Sequence, residues 1–191
     1  MKKFMYFLLS VAVTAMLTVP LYAQDGTRIG LGVSLTASGG SVDLFETVLS
    51  PASIYVPITF GKFRIEPEFG IFRVSSESGG DFPRSSTSTV LQFGTGLFAV
   101  NRIDKTLLYY GARFGLTRMS DSFDSNGSSD SSSRTNIYGG PALGAEYMFS
   151  EHFSLGGEAQ LIYLSVGSTD DNDDTGSVLR SRALFFSRWH F

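Results

Sequence analysis

The chain has 191 residues, 21 glycines, 17 phenylalanines and no cysteine, with a formal charge of −3. The acidic balance argues against nucleic acid as a partner. The lack of cysteine excludes a lipoprotein anchor and any dependence on disulfides.

Residues 1–23 have the layout of an export signal: Lys2 and Lys3, an apolar run over 4–19, then Leu21-Tyr22-Ala23 before Gln24. The domain expectation is therefore a signal peptide over 1–23 and one domain over 24–191, an uncleaved membrane anchor being the alternative. Removing Lys2 and Lys3 from the 15 basic groups leaves 13 against 18 acidic ones, a formal charge of −5. After Ala23 no apolar run approaches the roughly 20 residues of a membrane helix. If the mature chain crosses a membrane, it does so with strands.

From residue 27 onward the chain alternates with period two, the mark of strands with two unlike faces. Eight such stretches are expected. The first, 27–37, sets Ile29, Leu31, Val33 and Leu35 against Arg28 and glycines. After a loop over 38–52 come a second strand (Ile54, Val56, Ile58, Phe60), a turn at Gly61-Lys62, and a third strand. The third has Phe63, Ile65, Pro67, Phe69 and Ile71 on one face and Arg64, Glu66 and Glu68 on the other. A loop over 75–86 leads to strand four (87–100), a short turn (101–105) and strand five, with Arg113 on its polar face. A third loop over 119–135 carries D-S-F-D-S-N-G-S-S-D-S-S-S. Strand six (136–149, with Glu146), a turn at 150–152 and strand seven (with Glu158 and Gln160) follow. A fourth loop over 166–177 carries D-D-N-D-D.

The last strand, 178–191, has Leu179, Ala183, Phe185, Trp189 and Phe191 on one face and Arg180, Arg182, Arg188 and His190 on the other. Its ending, Phe191 with Trp189 two residues earlier, resembles the C-terminal signal strand of bacterial outer-membrane β-barrels. The resemblance implies that the barrel-assembly machinery recognises these two aromatics.

The strand count is even, and long polar loops alternate with short turns. Every oily face is backed by Gly, Arg, Glu and Gln, the pattern of an outer-membrane barrel. A soluble barrel would bury Arg113, Glu66, Glu68, Glu146 and Glu158 while exposing eight oily stripes to water. Phe60, Phe63, Tyr110, Tyr147, Phe149, Phe153, Trp189 and Phe191 share outward parity and cluster near the short turns, as an interfacial girdle does. The expected fold is all-β: a closed eight-stranded antiparallel up-and-down transmembrane β-barrel, with pairing bulged or widened at Pro57, Pro67 and Pro141.

This architecture looks like the small eight-stranded barrels of the OmpA and OmpX superfamily, often grouped as outer-membrane β-barrel or porin-family proteins. The resemblance covers 24–191 and rests on architecture and the terminal aromatic, with no catalytic signature. It implies a monomer in the bacterial outer membrane, both termini periplasmic, four extracellular loops, lipid and lipopolysaccharide as surroundings, and no cofactor. No peptidoglycan-binding domain is expected after residue 191.

The expected lumen set is Arg64, Glu66, Glu68, Arg113, Glu146, Glu158, Arg180, Arg182 and Arg188. Opposite charges in so narrow a space form a hydrogen-bonded plug, which outweighs an ion or proton path. An acyl-transfer site would want a histidine beside a serine or carboxylate. The two histidines, His152 and His190, both map to the periplasmic end, near Ser154 and Ser187, so a triad is disfavoured. Asp170, Asp171, Asp173 and Asp174 raise calcium, and a solvated acidic loop is preferred, so no metal site is assigned. Arg73 and Arg118 face outward at the extracellular ends of strands three and five, placed either to share a lipopolysaccharide headgroup or to snorkel. The leading reading is a structural or surface-interaction barrel acting through its loops on an extracellular ligand. A lipid A-modifying enzyme and a narrow ion channel are the alternatives.

Overall fold

The computed structural model describes residues 27–37, 52–78, 84–125, 128–167 and 176–191. The expected signal peptide, nearly all of the expected first loop and the D-D-N-D-D run lie outside them. Nine strand segments follow one another: β1 (Thr27–Ala37), β2 (Ala52–Tyr55), β3 (Ile58–Phe60), β4 (Phe63–Ser78), β5 (Arg84–Ile103), β6 (Thr106–Ser125), β7 (Ser128–Met148), β8 (Phe153–Val166) and β9 (Gly176–His190). Each pairs antiparallel with its neighbours, and β1 closes the sheet on β9, from Gly30 opposite His190 to Ala37 opposite Ala183.

Segments β2 and β3 are two halves of one barrel strand. Both pair with β1 in a single register and with β4 in a single register. The interruption falls at Val56-Pro57, where proline offers no N–H to the ladder. The Val56 amide still donates to the Pro67 carbonyl (3.0 Å), and the Gly30 amide to the Pro57 carbonyl (2.9 Å). Pro67 keeps its place opposite Thr95. At Pro141 the β7–β8 ladder skips from Gly139–Tyr163 to Ala142–Gln160 with register unchanged. The prolines therefore widen the pairing locally and add no bulge. Eight barrel strands result, closed and without an edge.

Burial alternates along the strands through the oily band. On β4, Phe63, Ile65, Phe69 and Ile71 are exposed while Arg64, Glu66 and Glu68 are buried. The oily band runs from Phe63 to Ile71 on β4, from Leu108 to Leu116 on β6 and from Ile137 to Tyr147 on β7. These lengths match the roughly 9–11 residues with which a tilted strand crosses a bilayer. At one end the connections are tight. Phe60 pairs with Phe63 across Gly61-Lys62, and Ile103 with Thr106 across Asp104-Lys105. Gly61 and Asp104 take positive φ (58° and 54°) at the first central position, a conformation glycine and aspartate tolerate. Around this short-turn end the girdle rings touch in series: Tyr147 to Phe149 (5.0 Å), Phe149 to Phe153 (6.1 Å) and Phe153 to Trp189 (6.4 Å).

The opposite end corrects two loop expectations. The 75–86 and 119–135 segments are largely strand. Segments β4 and β5 stay paired up to Ser78–Arg84, β5 and β6 up to Arg84–Ser125, and β6 and β7 up to Ser125–Ser128. Only Asn126 and Gly127, outside the described residues, separate β6 from β7. Asn-Gly between two paired strands is the strongest short hairpin signal in a sequence. It was masked by the Ser/Asp composition, which reads as loop. The outcome is a polar four-stranded sheet that continues β4–β7 beyond the oily band.

Candidate functional site

The lumen is solid. Three arginines and four glutamates interlock at its centre and short-turn side, and Glu66 and Glu146 are fully buried (0% exposed). Glu66 is the hub: Arg113 Nη2 lies 2.5 Å, Arg188 Nη2 2.7 Å and Arg64 Nη1 3.4 Å from its carboxylate. Glu146 takes Arg188 Nη1 at 2.5 Å and Arg64 Nη1 at 2.9 Å. Arg113 grips Glu158 through Nε (2.5 Å) and Nη2 (2.8 Å), a bidentate fork, and reaches Glu68 at 3.4 Å. Remaining oxygen valences are filled by neutral donors. Tyr109 and Gln160 donate to Glu158, while Ser53 and Gln92 donate to Glu68. Arg182, also buried, donates from Nε and Nη2 to Thr36 Oγ1 (3.1 and 2.8 Å). Arg180 is half-buried, next to Ile162 in register.

The inward face holds aromatic rings as well as charge. Tyr55, Phe98, Tyr109 and Phe186 are buried in it and wrap the guanidiniums. Arg188 stacks over Phe186 (4.0 Å), Tyr55 (5.0 Å) and Tyr109 (5.2 Å), and Arg113 over Phe98 (5.0 Å). Three of these rings sit directly across from a glycine on the adjacent strand: Tyr55 opposite Gly32, Tyr109 opposite Gly144 and Phe186 opposite Gly156. A Cβ at any of the three glycines would run into that ring. The glycines are therefore seats for lumen aromatics, a role that period-two reading misses and register reveals. Beyond this layer Tyr138, Ile162 and Leu164 form an apolar cluster, with Val90 and Met119 also buried towards the extended end.

Serine, histidine and carboxylate do meet at the short-turn end. Ser154 Oγ donates to Glu146 Oε1 (2.5 Å), His190 Nε2 lies 2.8 Å from the same oxygen, and Ser154 Oγ lies 3.2 Å from Nε2. An ionised carboxylate only accepts, so Nε2 carries its proton towards Glu146 and cannot take one from Ser154. A relay needs the serine and the acid on different ring nitrogens. All three groups are buried, so this cluster extends the ion-pair plug. His152 holds the end of β9 in place: its Nδ1 donates to the His190 carbonyl (3.0 Å) and its carbonyl accepts from the His190 amide (2.8 Å). The Phe191 amide donates to the Ile29 carbonyl (2.9 Å), and Trp189 and Phe191 stand outward, 52% and 75% exposed.

Arg73 and Arg118 both lie on the outward face at the top of the oily band, but not level with each other. Arg73 is in register with Thr89 and Ser120, whereas Arg118 is in register with Leu91 and Thr135. Arg118 Nη2 donates to Ser133 Oγ (3.3 Å). Beyond them, the outward face of the extended sheet is a grid of hydroxyls with Ser75 and Thr87 in mutual contact (3.1 Å). Among the described residues no group of three or more histidines and carboxylates is arranged to hold a metal ion. No helix among them is long and apolar enough to cross a membrane. The four aspartates of the 166–177 loop lie outside the described residues.

No curated protein matches the chain in sequence. In fold it is similar to Ail, the attachment invasion locus protein of Yersinia pestis, in complex with the heparin analogue sucrose octasulfate. That likeness has 16% identity and a TM-score of 0.51, and it covers 86% of this chain and 96% of Ail. OprH from P. aeruginosa (17% identity, TM-score 0.48, 87% and 99% covered) and Neisserial surface protein A (15%, 0.46, 87% and 98%) also match. The model of the outer membrane protein beta-barrel domain matches residues 9–180. With a closed eight-strand barrel, an oily outer band and this family match over most of its length, the chain belongs to the outer membrane protein beta-barrel family.

Proposed function

We propose that this protein is a monomeric, non-enzymatic surface-interaction barrel of the bacterial outer membrane, with its short-turn end in the periplasm and its extended sheet outside the cell. The observation that carries the reading is the contrast between the two parts. The lumen is lined by buried ion pairs and aromatics, whereas β4–β7 rise past the oily band as a broad polar sheet. Side chains that plug a barrel stabilise it and leave recognition to what projects from it. Trp189 and Phe191 serve assembly, and Arg73 and Arg118 meet lipopolysaccharide. The bound heparin analogue in Ail makes sulfated glycans a ligand class worth testing on the exposed sheet. The test replaces residues 120–133 by an Asn-Gly turn, leaving the barrel intact. Cells carrying the shortened protein should match wild type in envelope-stress reporters yet lose adhesion to glycan-coated and cell surfaces. Unchanged adhesion would refute a role for the sheet.

A further inference from the structure

Resting on the reading that the extended sheet stands outside the cell, we infer that its lumen-side face docks a cationic, amphipathic peptide segment of an extracellular protein. Among the described residues, nearly all exposed large hydrophobic side chains belong to the outward face of the wall. Val74 and Phe123 are the exceptions. The β4–β5 register runs unbroken from Phe63 to Ser78, and the β6–β7 register from Thr106 to Ser125. Parity therefore carries Val74 onto the face of Glu66 and Glu68, and Phe123 onto that of Arg113 and Met119. Both lie past the oily band, yet they are 45% and 46% exposed. Contact with lipid does not account for them, and neither does the plug.

Among the described residues no strand stands opposite this face. β1 ends at Ala37 and β8 at Val166, while β6 and β7 stay paired up to Ser125 and Ser128. On the strand between the two apolar groups, Ser86 lies opposite Phe123, and Ser88 lies opposite both Val74 and Asp121. The result is a hydrophilic face with one aromatic and one aliphatic contact point. An exposed ring in such a setting is the kind of anchor on which partner binding concentrates.

Charge selects the partner. Asp130 lies directly across from Phe123, and Asp121 shares the face two residues earlier on β6. Opposed Cβ atoms are about 4.5–5.5 Å apart and alternate residues of a strand about 7 Å, so both carboxylates flank the ring. Neither makes an ion pair among the described residues. A cation of the same face, Arg134, is instead held against Met119, its Nη2 donating to Sδ (3.1 Å). The negative face of a ring between two carboxylates suits an ammonium or guanidinium and repels an anion. The surroundings have the same sign. The segments that join or extend the strands at this end (38–52, 73–89, 118–135 and 166–177) hold 11 of the 18 acidic groups against 4 basic ones, a balance of −7. Such a field speeds encounter with a cationic partner. A sulfated glycan would have to use the outward face, where Arg73 and Arg118 stand.

The test uses the full barrel in zwitterionic phosphatidylcholine nanodiscs and reads fluorescence anisotropy of a labelled peptide alternating lysine and leucine. Empty discs set the baseline, and a peptide alternating glutamate and leucine is the charge-reversed arm. Wild type should bind the Lys/Leu peptide above baseline and leave the Glu/Leu peptide at baseline. Phe123→Ser and the pair Asp121→Asn/Asp130→Asn should each weaken binding about tenfold, the size of one lost anchor contact. Asp124→Asn removes the same charge from the outward face of the same strand and should leave binding nearly unchanged at physiological ionic strength. Heat-modifiable mobility verifies folding of all variants. Unchanged binding by Phe123→Ser would overturn the docking face, as would an Asp124→Asn loss equal to that of the double variant. Equal binding of the two peptides would overturn the cationic partner. If the Lys/Leu peptide fails to bind while the shortened hairpin still loses adhesion, the surface-interaction reading stands without this face. If the peptide binds through Phe123 while the shortened hairpin adheres normally, the adhesion reading falls alone.

Discussion

Glu146→Ala is the substitution that most sharply separates a dry ion-pair core from a solvated lumen. In the folded barrel Glu146 accepts from Arg64, Arg188, His190 and Ser154, all within 2.9 Å. Removing it leaves Arg64 and Arg188 to share Glu66, which Arg113 already occupies. Leaving one partner of a buried pair uncompensated typically costs about 3–5 kcal/mol. With a urea slope of roughly 2 kcal/mol per molar, that cost lowers the unfolding midpoint by about 2 M. The assay is urea unfolding in lipid bilayers followed by gel mobility, with the exposed Ser122→Ala as reference. Glu146→Gln keeps the shape and one acceptor oxygen, so its shift should be smaller. A double-mutant cycle with Arg64→Met should show coupling above about 0.5 kcal/mol, the level expected of contacting residues. A Glu146→Ala shift no larger than that of Ser122→Ala would mean that water, not protein, solvates these charges.

Gly144→Ala would drive a methyl into the Tyr109 ring and hydroxyl and should cost about 1–3 kcal/mol by overpacking. Gly157→Ala meets nothing nearer than the Leu184 carbonyl at 3.5 Å and should be neutral or slightly stabilising. The same bilayer unfolding assay reads both. Deleting Phe191 leaves every lumen contact in place, so a fall in folded, heat-modifiable protein extracted from cells would trace to assembly or the lost girdle contact. Normal folded yield would remove Phe191 from the targeting signal.

Period two in the sequence is enough to set the oily band on one face of the strands and Arg64, Glu66, Glu68, Arg113, Glu146 and Glu158 on the other. That is because the bilayer forces one face of every strand to be uniformly apolar. What it cannot supply is register. The convergence of three arginines on Glu66 depends on β4, β6 and β9 meeting at one height, which side-chain parity does not encode. The seating of Tyr109 over Gly144 is lost for the same reason, since an inward glycine reads simply as small. The extended sheet was hidden differently. Serine and aspartate have weak strand propensity, and β5–β7 past the membrane consist largely of them. Pairing with neighbours already in register extends those strands against that preference, and Asn126-Gly127 was the one local cue.

The central claim is that the barrel is plugged and that its function lies outside the lumen. Single-channel recording of the purified protein in planar bilayers tests this most directly. The account predicts no ohmic conductance steps at either polarity, because Glu66, Glu146, Arg64 and Arg188 fill the cross-section with mutually paired, buried groups. Reproducible conductance steps from the folded protein, shifted in ion selectivity by Glu66→Gln, would contradict it.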